Sequence, residues 1–298
     1  MKKMIAILAA LTILLAGCAG GGASAPAAVD VIRVGSKDFT EQLILGQITL
    51  AALEAHGIQG VDRTNISGTD NVRAALESGE IDIYWEYTGT AWMMLMGHDL
   101  IPGETPAQLF ERVRAEDAGN GIIWLDFAPF NNTYALAVTQ ETSQALNMTT
   151  LSDLAATPGL TLATEHEFMP RPDGFIGMVE AYEGMEFGEV LTMFMGLVYE
   201  SLMSGEADVA VVHATDGRIL DHNLVVLEDD LHFFPIYTPA PNVRADALER
   251  VPQIADILNP IAAALTMEAM QYLNFLVDSG QVEPDEAALL WMTENEFI

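Results

Sequence analysis

Val29-Asp-Val-Ile-Arg-Val34, then Gly35-Ser-Lys-Asp38, then the stretch from Phe39 to His56, decide the fold class. The first six residues alternate and are rich in β-branched side chains, which predicts a strand. From Phe39 onward apolar residues recur at helical spacing, with Asp38 or Thr40 near the start and Gly57 as the stop. The same unit then repeats. A short strand near 61–66 precedes a helix over 69–77, and Ile81-Asp-Ile-Tyr84 is a third strand that runs into Trp85-Glu-Tyr-Thr-Gly-Thr90. Such alternation is the pattern of an α/β sheet with helices on both faces.

Further along, a helix over 106–118 and a strand over 121–125 lead to Asn131-Asn132. An apolar strand, Thr133 to Val138, is then placed to cross into a second lobe. There the alternation restarts, with a helix near Leu151, a strand near 160–163 and Arg171-Pro-Asp-Gly174 opening a helix. A longer helix follows around 189–204, and then a buried strand over 207–212. Residues 231–237 cross back, and Ala245 to Trp291 is nearly all helical. Two α/β lobes joined by two crossings predict a hinged clam. The first lobe is 30–133 plus 238–298 and the second is 134–237. Ligand belongs between them, at the carboxyl ends of strands.

The N-terminus bears on the compartment. Lys2 and Lys3 precede an apolar run from Met4 to Leu15, followed by Ala16-Gly17-Cys18 and a stretch of Gly, Ala, Ser and Pro. A basic end, a short apolar run and small residues predict an export signal over 1–17. The run is short of the roughly 20 apolar residues that span a bilayer. Cys18 is the only cysteine, so disulfides and cysteine-based metal sites are excluded. Leu15-Ala-Gly-Cys18 matches the lipobox of bacterial lipoproteins, in which the thiol is acylated; residues 18–29 then read as a flexible tether to the membrane.

Without Lys2 and Lys3 the chain keeps 10 basic residues against 43 acidic ones, a net charge of −33. Phosphate backbones are repelled by such a surface, which excludes nucleic acid as a partner. Half of the residues are hydrophobic, which argues for a folded chain despite the charge. Lys37 is the only lysine beyond the leader, so its presence calls for a reason.

Four motifs occur in order: Gly35-Ser-Lys-Asp-Phe-Thr-Glu-Gln42, Tyr84-Trp-Glu-Tyr-Thr-Gly-Thr90, Arg171-Pro-Asp-Gly174 and Ala214-Thr-Asp-Gly-Arg218. Together they closely resemble the substrate-binding proteins of quaternary-amine ABC importers, which take up glycine betaine, choline, carnitine and related solutes. The resemblance covers about 31–298. It implies a periplasmic-binding-protein fold of type II-like topology, a small zwitterionic ligand, and a permease with ATPase subunits as partners. It also implies a monomer that is not an enzyme, with no cofactor and no metal.

A trimethylammonium group donates no hydrogen bonds, so proteins hold it against aromatic faces, at about 0.5–2 kcal/mol per ring. A betaine's carboxylate needs fixed cationic or polar donors. Carried over residue by residue, the resemblance implies an aromatic box at Tyr87, Tyr134, His213 and Tyr237. It implies a carboxylate clamp at Lys37, Thr90 and Arg171. Members of the family usually carry a tyrosine where this chain has His213. Each residue also has a plainer reading. The tyrosines fit a half-buried core, Thr90 fits a helix cap, Arg171 fits a structural ion pair, and Lys37 fits an exposed loop. Glu165-His166-Glu167 is the one stretch suggestive of metal or acid–base chemistry, but no His-Glu-x-x-His pair or Gly-x-Ser-x-Gly elbow accompanies it.

Overall fold

The computed structural model describes residues 31–101 and 103–298; the leader, Cys18 and the tether lie outside the described residues. Ten strands occur among the described residues. They are β1 (Val31–Gly35), β2 (Gln59–Arg63), β3 (Ile83–Tyr87), β4 (Ile122–Trp124) and β5 (Tyr134–Val138), then β6 (Thr161–Glu165), β7 (Glu189–Met193), β8 (Val209–His213), β9 (Val225–Val226) and β10 (Pro239–Arg244). They form two sheets, ordered β2-β1-β3-β10-β4 and β7-β6-β8-β5-β9. In each sheet four strands share one direction, and the chain that arrives from the other sheet adds one strand antiparallel to them: β10 between β3 and β4, and β5 between β8 and β9.

Helices cover both faces, which is why the central strands read as unbroken apolar runs rather than alternating ones. On one face of the first sheet, Ile44, Leu45 and Ile48 of the helix Thr40–Ala55 pack with Leu258 and Ile261 of Gln253–Ala264, Leu273 of Met267–Asp278 and Trp291 of Pro284–Glu294. On the other face, Val72 and Leu76 of Thr69–Ser78 meet Leu109 and Val113 of Pro106–Ala118. In the second sheet, the alternate side chains of β5 divide: Leu136 and Val138 face Met178, while Ala135 and Ala137 face Val198 and Leu202. The result is two lobes, each with its own core.

Local structure departs from the sequence expectation in three places. Residues 189–193 are a strand at the edge of the second sheet, paired in parallel with β6, and the helix starts only at Met195. A central strand, β10, occupies 239–244, between the crossing expected over 231–237 and the helical end from Ala245, where no element was expected. The helix Thr40–Ala55 has Phe39 at its N-cap and no side-chain cap, so neither Asp38 nor Thr40 starts it by capping.

The two crossings run beside one another. Asn132 N–H donates to the Tyr237 carbonyl at 3.1 Å, and Tyr237 N–H donates to Asn131 Oδ1 at 2.7 Å. Thr88 joins them, donating its N–H to the Thr238 carbonyl and its hydroxyl to the Ile236 carbonyl.

Candidate functional site

The strand ends that face the other lobe carry the polar and aromatic residues. Lys37 follows β1, Tyr87 ends β3, Tyr134 opens β5 and His213 ends β8. Tyr134 and His213 are direct partners across the β5–β8 ladder, so the second sheet alone sets their spacing. Tyr237 comes from the returning crossing. Arg171 lies in the turn before the helix Phe175–Ala181, and Thr90 lies one residue before a single π-helical turn, Ala91–Leu95. All seven line one cavity of about 730 Å³ between the lobes.

Three tyrosine rings face this space, each with its hydroxyl fixed by a different carboxylate. Tyr87 donates to Glu41 at 2.7 Å, Tyr134 to Glu165 at 3.1 Å and Tyr237 to Asp173 at 2.8 Å. The rings of Tyr134 and Tyr237 stand nearly perpendicular, with centroids 5.7 Å apart. Burial is the largest cause raising all three phenols well above their ordinary value, so they remain neutral.

Phe39 supplies a further ring that sequence reading passed over. It lies nearly parallel to His213, with centroids 5.8 Å apart and planes 9° apart, and it also stacks against Tyr87 at 6.2 Å. Its place in the Gly35–Gln42 motif, two residues past Lys37, was the available clue.

The basic residues are already held by buried carboxylates. Arg171 makes a two-pronged contact with Asp173, at 2.7 Å from Nε and 2.6 Å from Nη2; it also reaches Glu167 at 3.2 Å and Thr90 Oγ1 at 3.4 Å. Its guanidinium carbon lies 5.4 Å from the Tyr134 centroid. Burial pulls Arg171 down, but the hydrogen bonds and charge of Asp173 oppose it, and the group stays above its ordinary value. Lys37 Nζ donates to Glu86 at 2.7 Å and sits 5.4 Å from the Tyr87 centroid. Neither residue is an exposed loop cation. An ammonium has three donors, so the Glu86 contact does not exhaust Lys37.

Thr90 caps no helix: the turn it enters has no side-chain cap. Glu165-His166-Glu167 does not converge on one point either. Glu165 faces Tyr134 and His213, His166 meets Phe194 edge-on, and Glu167 accepts from Thr69 and Arg171.

His213 Nε2 is 3.4 Å from Glu165. Burial lowers its pKa, but the Glu165 hydrogen bond and charge, with Glu41 and Asp216 beyond, outweigh this and raise it. The reciprocal effect holds Glu165 below the ordinary carboxylate value, against burial, through His213, Tyr134 and Arg171. Glu41 behaves oppositely. Burial raises it, and hydrogen bonds from Thr215, Tyr87 and Asn274 offset only part.

Seven acidic residues line the cavity against Lys37, Arg171 and Arg218, so its field favours cations. A ligand's anionic end therefore has few places to go, and Arg171 beside Thr90 is the most enclosed of them. No helix among the described residues is long and apolar enough to cross a membrane.

Residues 30–294 match the family model described as the substrate binding domain of ABC-type glycine betaine transport systems. The glycine-betaine-binding protein of Pseudomonas aeruginosa is 37% identical over 293 residues, covering 94% of this chain and 93% of that protein. The ergothioneine transport permease/ergothioneine binding protein EgtU of Helicobacter pylori is 34% identical over 84% of this chain, which spans 45% of that longer protein. A solved structure described as a glycine betaine/carnitine/choline ABC transporter superposes with a TM-score of 0.74 at 28% identity, covering 89% of this chain and 99% of that one. The relatives are binding proteins and not enzymes. Two lobes around an aromatic, acid-lined cleft and these matches lead to one assignment: the chain belongs to the family of substrate-binding domains of ABC-type glycine betaine transport systems.

Proposed function

We propose that the protein captures a quaternary-ammonium zwitterion outside the cytoplasm and hands it to a membrane permease driven by separate ATPase subunits. Glycine betaine is the reference ligand. Cys18, acylated after removal of 1–17, would tether the protein at the membrane. Tyr87, Tyr134, His213 and Tyr237 would enclose the trimethylammonium group, and Lys37, Thr90 and Arg171 would bind the carboxylate.

The observation that carries this reading is the convergence of those seven residues, 37 to 237 in the chain, on one cavity. Cation–π contacts with several rings, each worth about 0.5–2 kcal/mol, suit a cation that forms no hydrogen bonds. Ligand touching both lobes would favour the closed arrangement, because only there are all contacts made. Calorimetry with glycine betaine, proline betaine, carnitine, choline and ergothioneine tests the proposal. Heat of binding from none of them would sink it.

His213 motivates a second reading, in which the same site prefers a solute with extra polarity, such as carnitine or ergothioneine. The ring has a buried Nδ1 without a hydrogen-bond partner and is tied to Glu165 by its other nitrogen. The name of the Helicobacter relative points the same way. A His213→Tyr variant that shifts preference toward glycine betaine would support this second reading.

A further inference from the structure

We propose that Glu41 is a specificity-determining residue of the cleft: a carboxylate filled with hydrogen bonds but left without an opposite charge, which the non-donating cation of a ligand supplies. This rests on the box-and-clamp reading above and adds to it the residue that selects for the positive charge.

Among the described residues the buried carboxylates are Glu41, Asp82, Glu86, Asp117, Asp173 and Asp216. All but one hold an arginine or lysine. Asp82 has Arg33, Glu86 has Lys37, Asp117 has Arg73, Asp173 has Arg171 and Asp216 has Arg218. Glu41 is 2% exposed and makes no such pair among the described residues. His213 acts on it from further off, but the Nε2 of that ring faces Glu165 at 3.4 Å. Taking a charge out of water is costly unless an opposite charge replaces the lost hydration.

The hydrogen bonds of Glu41 are nevertheless complete. Its Oε1 accepts from the Tyr87 hydroxyl at 2.7 Å and from Asn132 Nδ2 at 2.8 Å. Its Oε2 accepts from Asn274 Nδ2 at 3.1 Å, and the Thr215 side chain adds a further donor. A carboxylate offers about four acceptor sites, so none is left over. The Asn274 amide is oriented by its contact with the Thr215 carbonyl, at 3.0 Å, which keeps its nitrogen toward Glu41. Such donors favour the ionised carboxylate, yet all of them are neutral.

Glu41, its four donors and His213 all line the interlobe cavity. Tyr87 is at once a wall of that cavity and a donor to Glu41. A primary ammonium or a guanidinium brings donors of its own and needs free acceptors. A trimethylammonium brings none and offers only charge, spread over its methyl groups. It is the complement of a carboxylate whose acceptor sites are filled and whose charge is not. Its arrival offsets the cost of burying Glu41, and a neutral group of the same shape gives no such gain.

The test compares glycine betaine with 3,3-dimethylbutanoate, in which carbon replaces the ammonium nitrogen, so that shape and carboxylate stay and the positive charge goes. Calorimetry, direct or by competition, is run on the unaltered protein, on Glu41→Gln, and on Glu41→Gln combined with Asn132→Asp. The double variant moves the charge across the 2.8 Å hydrogen bond. The unaltered protein should prefer betaine by about 100-fold or more. Glu41→Gln should weaken betaine by about tenfold or more and leave the carbon compound within about twofold, and the double variant should recover betaine to within about threefold. Unchanged betaine affinity in Glu41→Gln would overturn the proposal, as would equal losses for both compounds, which would make Glu41 a scaffold residue only. No preference between the compounds in the unaltered protein would overturn it too. Should Glu41→Gln not fold, the double variant decides: betaine held within about threefold upholds the proposal and a loss beyond about tenfold overturns it. Absence of binding by either compound to the unaltered protein is the failure of the box-and-clamp reading, whereas betaine binding indifferent to Glu41 is the failure of this inference alone.

Discussion

Arg218 of the second lobe and Asp278 of the first face one another at 3.2 Å beside the cleft. The pair ends a seam along one face of the helix Met267–Asp278, where Gln271 donates to the Ala214 carbonyl and Asn274 to that of Thr215. Arg218 keeps a second partner in Asp216, so losing Asp278 does not strand it. Asp278→Asn should therefore lower ligand affinity by about two- to tenfold, mainly through faster release, because a partly exposed pair contributes modestly. Stopped-flow release rates check this. An unchanged release rate would remove the seam from the closure mechanism.

Arg171→Ala separates clamp from scaffold. Loss of a charge-assisted contact should weaken glycine betaine by about 10- to 100-fold, while choline, which lacks a carboxylate, loses far less. The change also strands Asp173, which is fully buried, so folding must be verified by circular dichroism before titration. Similar losses for both ligands would show that Arg171 serves only to hold Asp173 and Tyr237.

The Glu165–His213 pair makes affinity depend on pH. Between the lowered Glu165 value and the raised His213 value the pair has no net charge. As pH rises through the His213 value the pair becomes anionic, so affinity for a trimethylammonium ligand should rise. It should weaken again as pH falls, with the transition above 6.5, the ordinary imidazole value. Stability should move the other way. The His213 contribution is complete below the unfolded imidazole value and is lost as pH rises through the folded one. Calorimetry and thermal melts across neutral pH, on the protein and on His213→Tyr, test both signs; flat affinity in the unaltered protein contradicts the pairing.

Asp117→Ala should destabilise without touching binding. Asp117 is buried, takes both terminal nitrogens of Arg73 and accepts from Trp124 Nε1 at 2.7 Å. None of the three lines the cleft. Arg73 keeps Glu77 at 2.6 Å, so the loss leaves its two terminal nitrogens and Trp124 Nε1 without this partner but does not leave a lone charge; it should cost about 1–3 kcal/mol in denaturant unfolding, with ligand affinity kept at temperatures where the variant is folded.

Much of the architecture was legible because strands buried on both faces announce themselves as Tyr134–Val138 and Val209–His213 do. Strand β7 was not, because Glu189–Met193 runs into the helix from Met195 without a breaker, and its apolar residues fit either period. Strand β10 was hidden by Pro239 and Pro241, which ordinarily exclude a central strand. The N–H and C=O of one strand residue point to the same side. The carbonyls of both prolines accept from Ala128 and Leu125 of the outgoing crossing, so their missing N–H groups face a neighbour that supplies its own donors. At the site, the motifs located Lys37 and Arg171 but not Glu86 or Asp173 as their partners. Lys37 and Glu86 come together only when β1 and β3 lie side by side. Asp173 stood inside the quoted motif, but its contact with Tyr237 spans 64 residues and depends on the return crossing.

The three tyrosine–carboxylate bonds have a consequence for the rings themselves. A phenol that donates to a carboxylate is polarised toward phenolate, and the extra electron density spreads from the oxygen into the ring face. On the proposed function, Glu41, Glu165 and Asp173 would thus act on a bound cation twice: through space as charges, and through Tyr87, Tyr134 and Tyr237 as electron-rich surfaces. The acidity of the chain, at the level of three side chains, becomes aromatic basicity. Tyr87→Phe, which keeps the ring and loses only the hydroxyl, should accordingly weaken choline more than a hydroxyl without ligand contact would warrant.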